Sequence, residues 1–194
     1  MKTFTYTIND KPIEKIIDFS MFENEKNILI QIFCGQTKEK LKNILDVITK
    51  KLPQAICIGS STDGEISNDT ITTNSTILSI STFEKTTIKA AYSNSEDCFS
   101  NGVELANKLC TQTTKAIIAF SDGATTNGEE FLNGINFVNN KVIVSGGMAA
   151  DNANFTQTFI SCQNKILTKG AVGVSLNSEE LSVCNAFNFN MIHL

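Results

Sequence analysis

Three short stretches of this 194-residue chain concentrate the groups that could do chemistry. They are Gly59-Ser60-Ser61-Thr62-Asp63-Gly64-Glu65-Ile66, Ser121-Asp122-Gly123-Ala124-Thr125-Thr126-Asn127-Gly128 and Ser145-Gly146-Gly147-Met148-Ala149-Ala150-Asp151. Each joins glycine and hydroxyl groups to a carboxylate. Most catalytic classes lack a required residue here. A serine hydrolase needs a Gly-x-Ser-x-Gly elbow and a histidine base, but Gly59 to Asp63 breaks the elbow and the sole histidine is His193, beside the end. A cysteine hydrolase lacks the same base. A phosphate loop would continue from its second glycine into Lys-Ser/Thr, whereas Gly64 is followed by Glu65, which repels phosphate. No Gly-x-Gly-x-x-Gly follows a predicted strand. Acid–base chemistry through Asp63, Glu65, Asp122 or Asp151 remains as an alternative.

The same groups suit a small zwitterion better. Backbone amides and hydroxyls can take its carboxylate and an Asp its ammonium, while the nearly bulk-free run from Ser145 to Ala150 leaves room against the backbone. Each stretch also has a plainer reading. Ser, Thr and Asp satisfy their own backbone in turns, Thr126 caps a helix, and Gly146-Gly147 permits a positive φ or close backbone packing. Three such stretches on three strand ends favour a shared polar pocket.

Periodicity supplies the elements that would position them. Strands are predicted at 3–8, 27–34, 55–58, 77–83, 87–92 and 116–120, and again at 141–145, 155–161, 165–167, 170–176 and 181–188. The strands at 77–83 and 87–92, separated by Glu84-Lys85-Thr86, read as a hairpin. A short helix starts at Asp10, with Pro12 in its first turn and Ile13, Ile16 and Ile17 on one face. A second, over 37–52, carries Leu41, Ile44, Leu45, Ile48 and Leu52 and is stopped by Pro53. A third covers 99–110. Thr126-x-x-Glu129 is a capping box for a fourth, carrying Phe131, Leu132, Ile135 and Val138. The fold class is α/β: a mixed parallel and antiparallel sheet with crossover helices, antiparallel strands gathering toward the C-terminus. The predicted core contains Ile30, Ile32, Leu41, Ile44, Leu45, Ile58, Leu78, Ile80, Ile117, Ile118, Leu132, Ile143 and Val172. Ligands gather at the C-terminal ends of strands in such sheets, so the three stretches would converge if their strands are parallel neighbours.

Composition narrows the class further. An apolar share of 41% with 19% charged residues is that of a globular domain. The chain reads as one domain, residues 1–194, without repeat, low-complexity tract or linker. No apolar run approaches the ~18 residues of a membrane span, and the N-terminus has no signal-peptide core, so a cytoplasmic protein without membrane insertion is expected. All 16 basic residues are lysine and the net charge is −4. Without arginine, specific nucleic-acid reading is disfavoured, and the lysines around 38–51 form a solvated helix face. The six cysteines contain no C-x-x-C and sit mostly in apolar runs, which reads as buried free thiols. No metal site and no cofactor are expected.

GSSTDGEI at 59–66, IIAFSDGATTNGEEFLNGI at 117–135, IVSGGMAADNANFTQTFI at 143–160 and GAVGVSL at 170–176 together resemble the FIST N-terminal domain, of the F-box and intracellular signal transduction family. The resemblance implies an intracellular sensory domain that binds a small ligand such as an amino acid. It further implies signalling partners such as a chemoreceptor, a histidine kinase or a cyclic-di-nucleotide enzyme. The matching positions are Gly59, Ser61, Thr62, Gly64, Glu65, Asp122, Gly123, Gly146, Gly147, Ala149, Asp151 and Thr158. The chain departs from the family at Ser60, where Cys is frequent, and at Asp63, where a small residue is usual and which adds charge. The candidate ligand-binding set is Ser60, Ser61, Thr62, Asp63, Gly64, Asp122, Gly123, Gly146, Gly147, Ala149, Asp151 and Thr158, with no catalytic residue. The family continues into a second FIST domain, so the chain reads as an excised domain or a short variant. A protein-interaction module without a ligand is the remaining alternative.

Overall fold

A computed structural model describes residues 1–9, 11–67 and 70–184. In chain order its elements are β1 (Lys2–Ile8), β2 (Asn27–Cys34), α1 (Lys38–Lys51), β3 (Ile56–Ser61), β4 (Glu65–Ser67), β5 (Thr70–Thr72), β6 (Thr76–Phe83) and β7 (Thr87–Ser93). They continue with α2 (Cys98–Leu109), β8 (Thr114–Ser121), α3 (Gly128–Val138), β9 (Ile143–Met148), β10 (Ile160–Cys162), β11 (Lys165–Leu167) and β12 (Ala171–Asn177). The fold is mixed α/β, as the periodicity implies, but its strands divide between two main sheets. The first runs β1-β6-β2-β3-β10-β11 and the second β7-β12-β8-β9, with β4-β5 as a separate ribbon. Each main sheet contains one parallel pair, β2 with β3 across α1 and β8 with β9 across α3. The remaining pairings are antiparallel.

Strand alternation explains the layering. On β2, Ile28, Ile30, Ile32 and Cys34 pack with Leu41, Ile44, Leu45 and Ile48 of α1. Leu29 and Phe33 turn to the other face and meet Phe120, Val172 and Val174 of the second sheet. The outer face of the second sheet, through Ile117, Ala119 and Ala171, is covered by Leu105, Ala106 and Leu109 of α2 and by Phe131 and Ile135 of α3. The result is four layers: helix, sheet, sheet, helices. Glycines let α2 and α3 touch by their backbones. A Cβ on Gly102 would lie 2.1 Å from the Phe131 carbonyl oxygen, and one on Gly134 would lie 2.1 Å from that of Phe99.

Several expectations are corrected. The segments at 77–83 and 87–92 do not pair. β6 sits between β1 and β2 in the first sheet, and β7 borders β12 in the second. β6 has a buried or partly buried side chain at every position, so it must lie inside a sheet with both faces covered. The expected helix near Pro12 is reduced to 3-10 turns over Ile13–Lys15 and Phe19–Phe22, and its cap, Asp10, lies outside the described residues. The strand expected over 155–161 begins only at Ile160. Residues 181–184 form no strand, and the rest of the segment expected over 181–188 lies outside the described residues. The antiparallel strands toward the C-terminus do not share one sheet, because β10 and β11 join the first sheet and β12 the second. Residues 59–61, read as loop, belong to β3. The Thr126 capping box does not form. Asn127 is the N-cap and accepts from the amides of Glu129 and Glu130, because the Thr126 hydroxyl is engaged elsewhere. Of the predicted core, Ile118 and Ile143 are partly buried, whereas Leu132 is 43% exposed, since α3 turns Phe131 and Ile135 to the sheet. Among the described residues no helix is long and apolar enough to cross a membrane.

Candidate functional site

The ends of β3 and β8 belong to different sheets, and the segment after β9 laces them together. The Ala149 amide donates to the Ser121 carbonyl at 2.8 Å, and the next amide, of Ala150, donates to the Ser61 carbonyl at 2.9 Å. Gly123 N–H donates to the Thr158 hydroxyl at 3.1 Å, and Ala153 N–H to an Asp63 carboxylate oxygen at 3.0 Å. All three polar stretches therefore meet, although their strands do not share one sheet.

The four carboxylates of this cluster have different fates. Glu65 is 2% exposed and accepts from the hydroxyls of Thr62 at 2.6 Å and Ser75 at 2.8 Å, and from the Ser75 amide at 3.2 Å. Asp122, 1% exposed, accepts from the Thr125 amide and hydroxyl at 2.8 and 2.9 Å, from the Thr126 hydroxyl at 3.0 Å and from Gly170 N–H at 3.0 Å. Both are spent on the protein itself. Asp151 gathers the amides of Phe155, Thr156 and Gln157 at 3.0, 2.7 and 3.1 Å. That grip holds a loop in which Asn152, Ala153 and Phe155 all have φ near +55°, a conformation costly for side chains with a Cβ. It is also why no strand forms there. Asp63 differs from the other three: it is exposed and, among the described residues, accepts only from Ala153, at one oxygen.

Hydrogen bonds, led by that from the Thr156 amide, hold the Asp151 carboxyl below its ordinary value of 3.8. A depressed carboxyl contributes stability above its unfolded pKa and loses it as pH falls through the folded value. The Thr156 amide chemical shift is therefore expected to stay constant from neutral pH to about 4 and to move with a midpoint below 3.8. An NMR titration with its midpoint at or above 3.8 would refute the anchoring role.

Most candidate residues line two clefts, and Gly146 and Gly147 also border a third, between β9 and α3. A loop cleft of about 370 Å³ is bordered by Asp63, Gly123, Ala149, Asp151 and Thr158, together with Phe155 and Gln157. Ser60, Thr62, Gly146 and Gly147 border a second cleft of about 360 Å³, between the two sheets where β9 leaves the sandwich open. Ser61, Gly64 and Asp122 line none of these. The Ser61 hydroxyl accepts from the Phe159 amide at 3.0 Å, and Gly64 leads into β4. Reasoning from sequence passed over Phe155, which is 92% exposed, and Gln157 on the loop. It also passed over Gln31, a polar residue within the apolar run ILIQIFC.

The six cysteines are free; Cys34, Cys57 and Cys162 are buried, Cys98 and Cys110 partly buried and Cys184 exposed. Burial pushes the Cys57 thiol up to about 12 and that of Cys162 to about 11, which leaves both unreactive at neutral pH. Among the described residues no group of three or more His, Cys, Asp or Glu could hold a metal ion.

No curated protein matches the chain. A family model, the FIST N domain, matches residues 28–192.

Proposed function

This chain belongs to the FIST N domain family, a sensory domain of signal-transduction proteins, and on that premise we propose that it senses a small amino acid through the loop cleft. One observation carries the choice of ligand: of the cluster's carboxylates, Asp63 alone is exposed with an oxygen that accepts from no donor among the described residues, so it can take an ammonium group. The Gln157 carboxamide, which makes no side-chain hydrogen bond among the described residues, supplies donors for a ligand carboxylate from the same cleft. The Phe155 ring gives an apolar surface for the ligand side chain. The loop held by Asp151 is the element that ligand binding would bias toward a signalling partner such as a histidine kinase, a chemoreceptor or a cyclic-di-nucleotide enzyme. Acid–base catalysis finds less support. It calls for a carboxyl raised by burial near substrate, whereas Asp151 is held low and Asp122 and Glu65 are bonded on both oxygens.

A thermal-shift screen of the chain against the amino acids tests this. At 100 times its dissociation constant a ligand specific for the folded state adds roughly 2.7 kcal/mol. The expected result is a raised Tm with one class of amino acids, no shift with the matching deaminated acids, and at least tenfold weaker binding in Asp63→Asn. No shift with any amino acid, or an equal response in Asp63→Asn, overturns the assignment.

A further inference from the structure

Along β2 the side chains turned toward the second sheet are Leu29, Gln31 and Phe33. Leu29 and Phe33 belong to the inter-sheet core, so Gln31 holds a place where an aliphatic side chain would ordinarily stand. Its carboxamide can donate two hydrogen bonds and accept two. It makes none with another described residue and opens instead on the inter-sheet cleft. The side chain is only partly buried, so its carboxamide stays open to whatever enters the cleft. Gln31 thus offers its full hydrogen-bonding capacity to an occupant of the cleft.

The remaining walls define what that occupant is. Phe33 and Phe120 meet edge to face across the sheets, their ring centroids 5.6 Å apart, and form an apolar floor. The facing strand contributes Ser145 and Gly147, and a Cβ built on Gly147 would meet nothing within 4 Å. No charged side chain is among the described residues lining the cleft. A net charge bound here would be left unpaired, so the occupant is uncharged. The Gln31 carboxamide presents a donor beside an acceptor, the complement of a ring edge in which C=O adjoins N–H; glutamine reads base edges by the same pairing.

We propose that the inter-sheet cleft binds a small, planar, uncharged ring bearing a cyclic-amide edge, held bidentately by Gln31. Free nucleobases and cyclic dipeptides share that chemistry. The site is separate from the loop cleft and does not depend on what binds there.

The test is a calorimetric titration of the full chain with uracil, hypoxanthine and cyclo(Gly-Gly), with benzoate as a flat anionic control. Binding of at least one cyclic amide and none of benzoate is expected. A response to the bases alone identifies a nucleobase source, and one to the cyclic dipeptide alone a peptide-derived source. Gln31→Leu is expected to weaken binding at least tenfold. Gly147→Leu, which fills the cleft, should weaken it likewise even if Gln31→Leu alters the fold. Asp63→Asn should leave this binding unchanged, separating the two clefts. The proposal is overturned if no cyclic amide binds, if benzoate binds equally well, or if neither cleft variant weakens binding.

Discussion

Asp122→Ala is expected to cost about 3–5 kcal/mol of folding stability, a large part of the 5–15 kcal/mol typical of a domain. The carboxylate is almost fully enclosed and ties the end of β8 to the turn before β12 by accepting from Gly170 N–H, while also ordering Thr125 and Thr126. Alanine removes every acceptor at once and strands the buried Gly170 amide, so the loss exceeds that of one exposed hydrogen bond. Asp122→Asn should fall between alanine and wild type, because one acceptor survives but a new amine meets existing donors. Urea unfolding followed by circular dichroism measures both, and an unchanged midpoint in Asp122→Ala would show that the bonds contribute nothing net. Asp122 was expected from the sequence to face a ligand; its geometry makes it a tie between elements.

Neighbouring glycines should respond in opposite ways. Gly146 has φ +144°, and a Cβ there would lie 1.8 Å from the Ala119 carbonyl oxygen on β8, a strand paired on both sides. That backbone cannot give way without breaking its ladder, so Gly146→Ala is expected to cost about 3 kcal/mol or more. Gly147 has open space at its Cβ position, and Gly147→Ala should change stability by no more than about 0.5–1 kcal/mol, toward greater stability since alanine restricts the unfolded chain. The same unfolding measurement compares them. Equal midpoints would mean that β9, an edge strand, shifts to absorb the added methyl.

Much of the fold was legible because apolar periodicity is a local property. The spacing of Leu41, Ile44, Leu45 and Ile48 places α1 within a residue of each observed end, and the parallel pair it bridges follows from the strands on either side. The β4-β5 ribbon was missed because it lacks a core face: Ile66 and Ile71 stand opposite each other, 73% and 77% exposed. Leu132 was placed in the core because it shares the apolar stripe of α3, but only the angle at which that helix lies on the sheet decides which part of the stripe is covered.

The sequence by itself determined the α/β class, the helices that cover the sheets, the polar stretches at strand ends and the resemblance that the family match bears out. Tertiary structure alone decided that β6 and β7 part into different sheets, that Asp122 and Glu65 are consumed internally while Asp63 keeps one oxygen without a donor among the described residues, and that Gln31 faces a cleft. Periodicity reports which faces of a segment avoid water, and its range is a few residues. An acceptor's fate depends on donors far along the chain, as the Asp122 carboxylate depends on Gly170 and the Ser61 carbonyl on Ala150, and those meetings exist only once both sheets have packed.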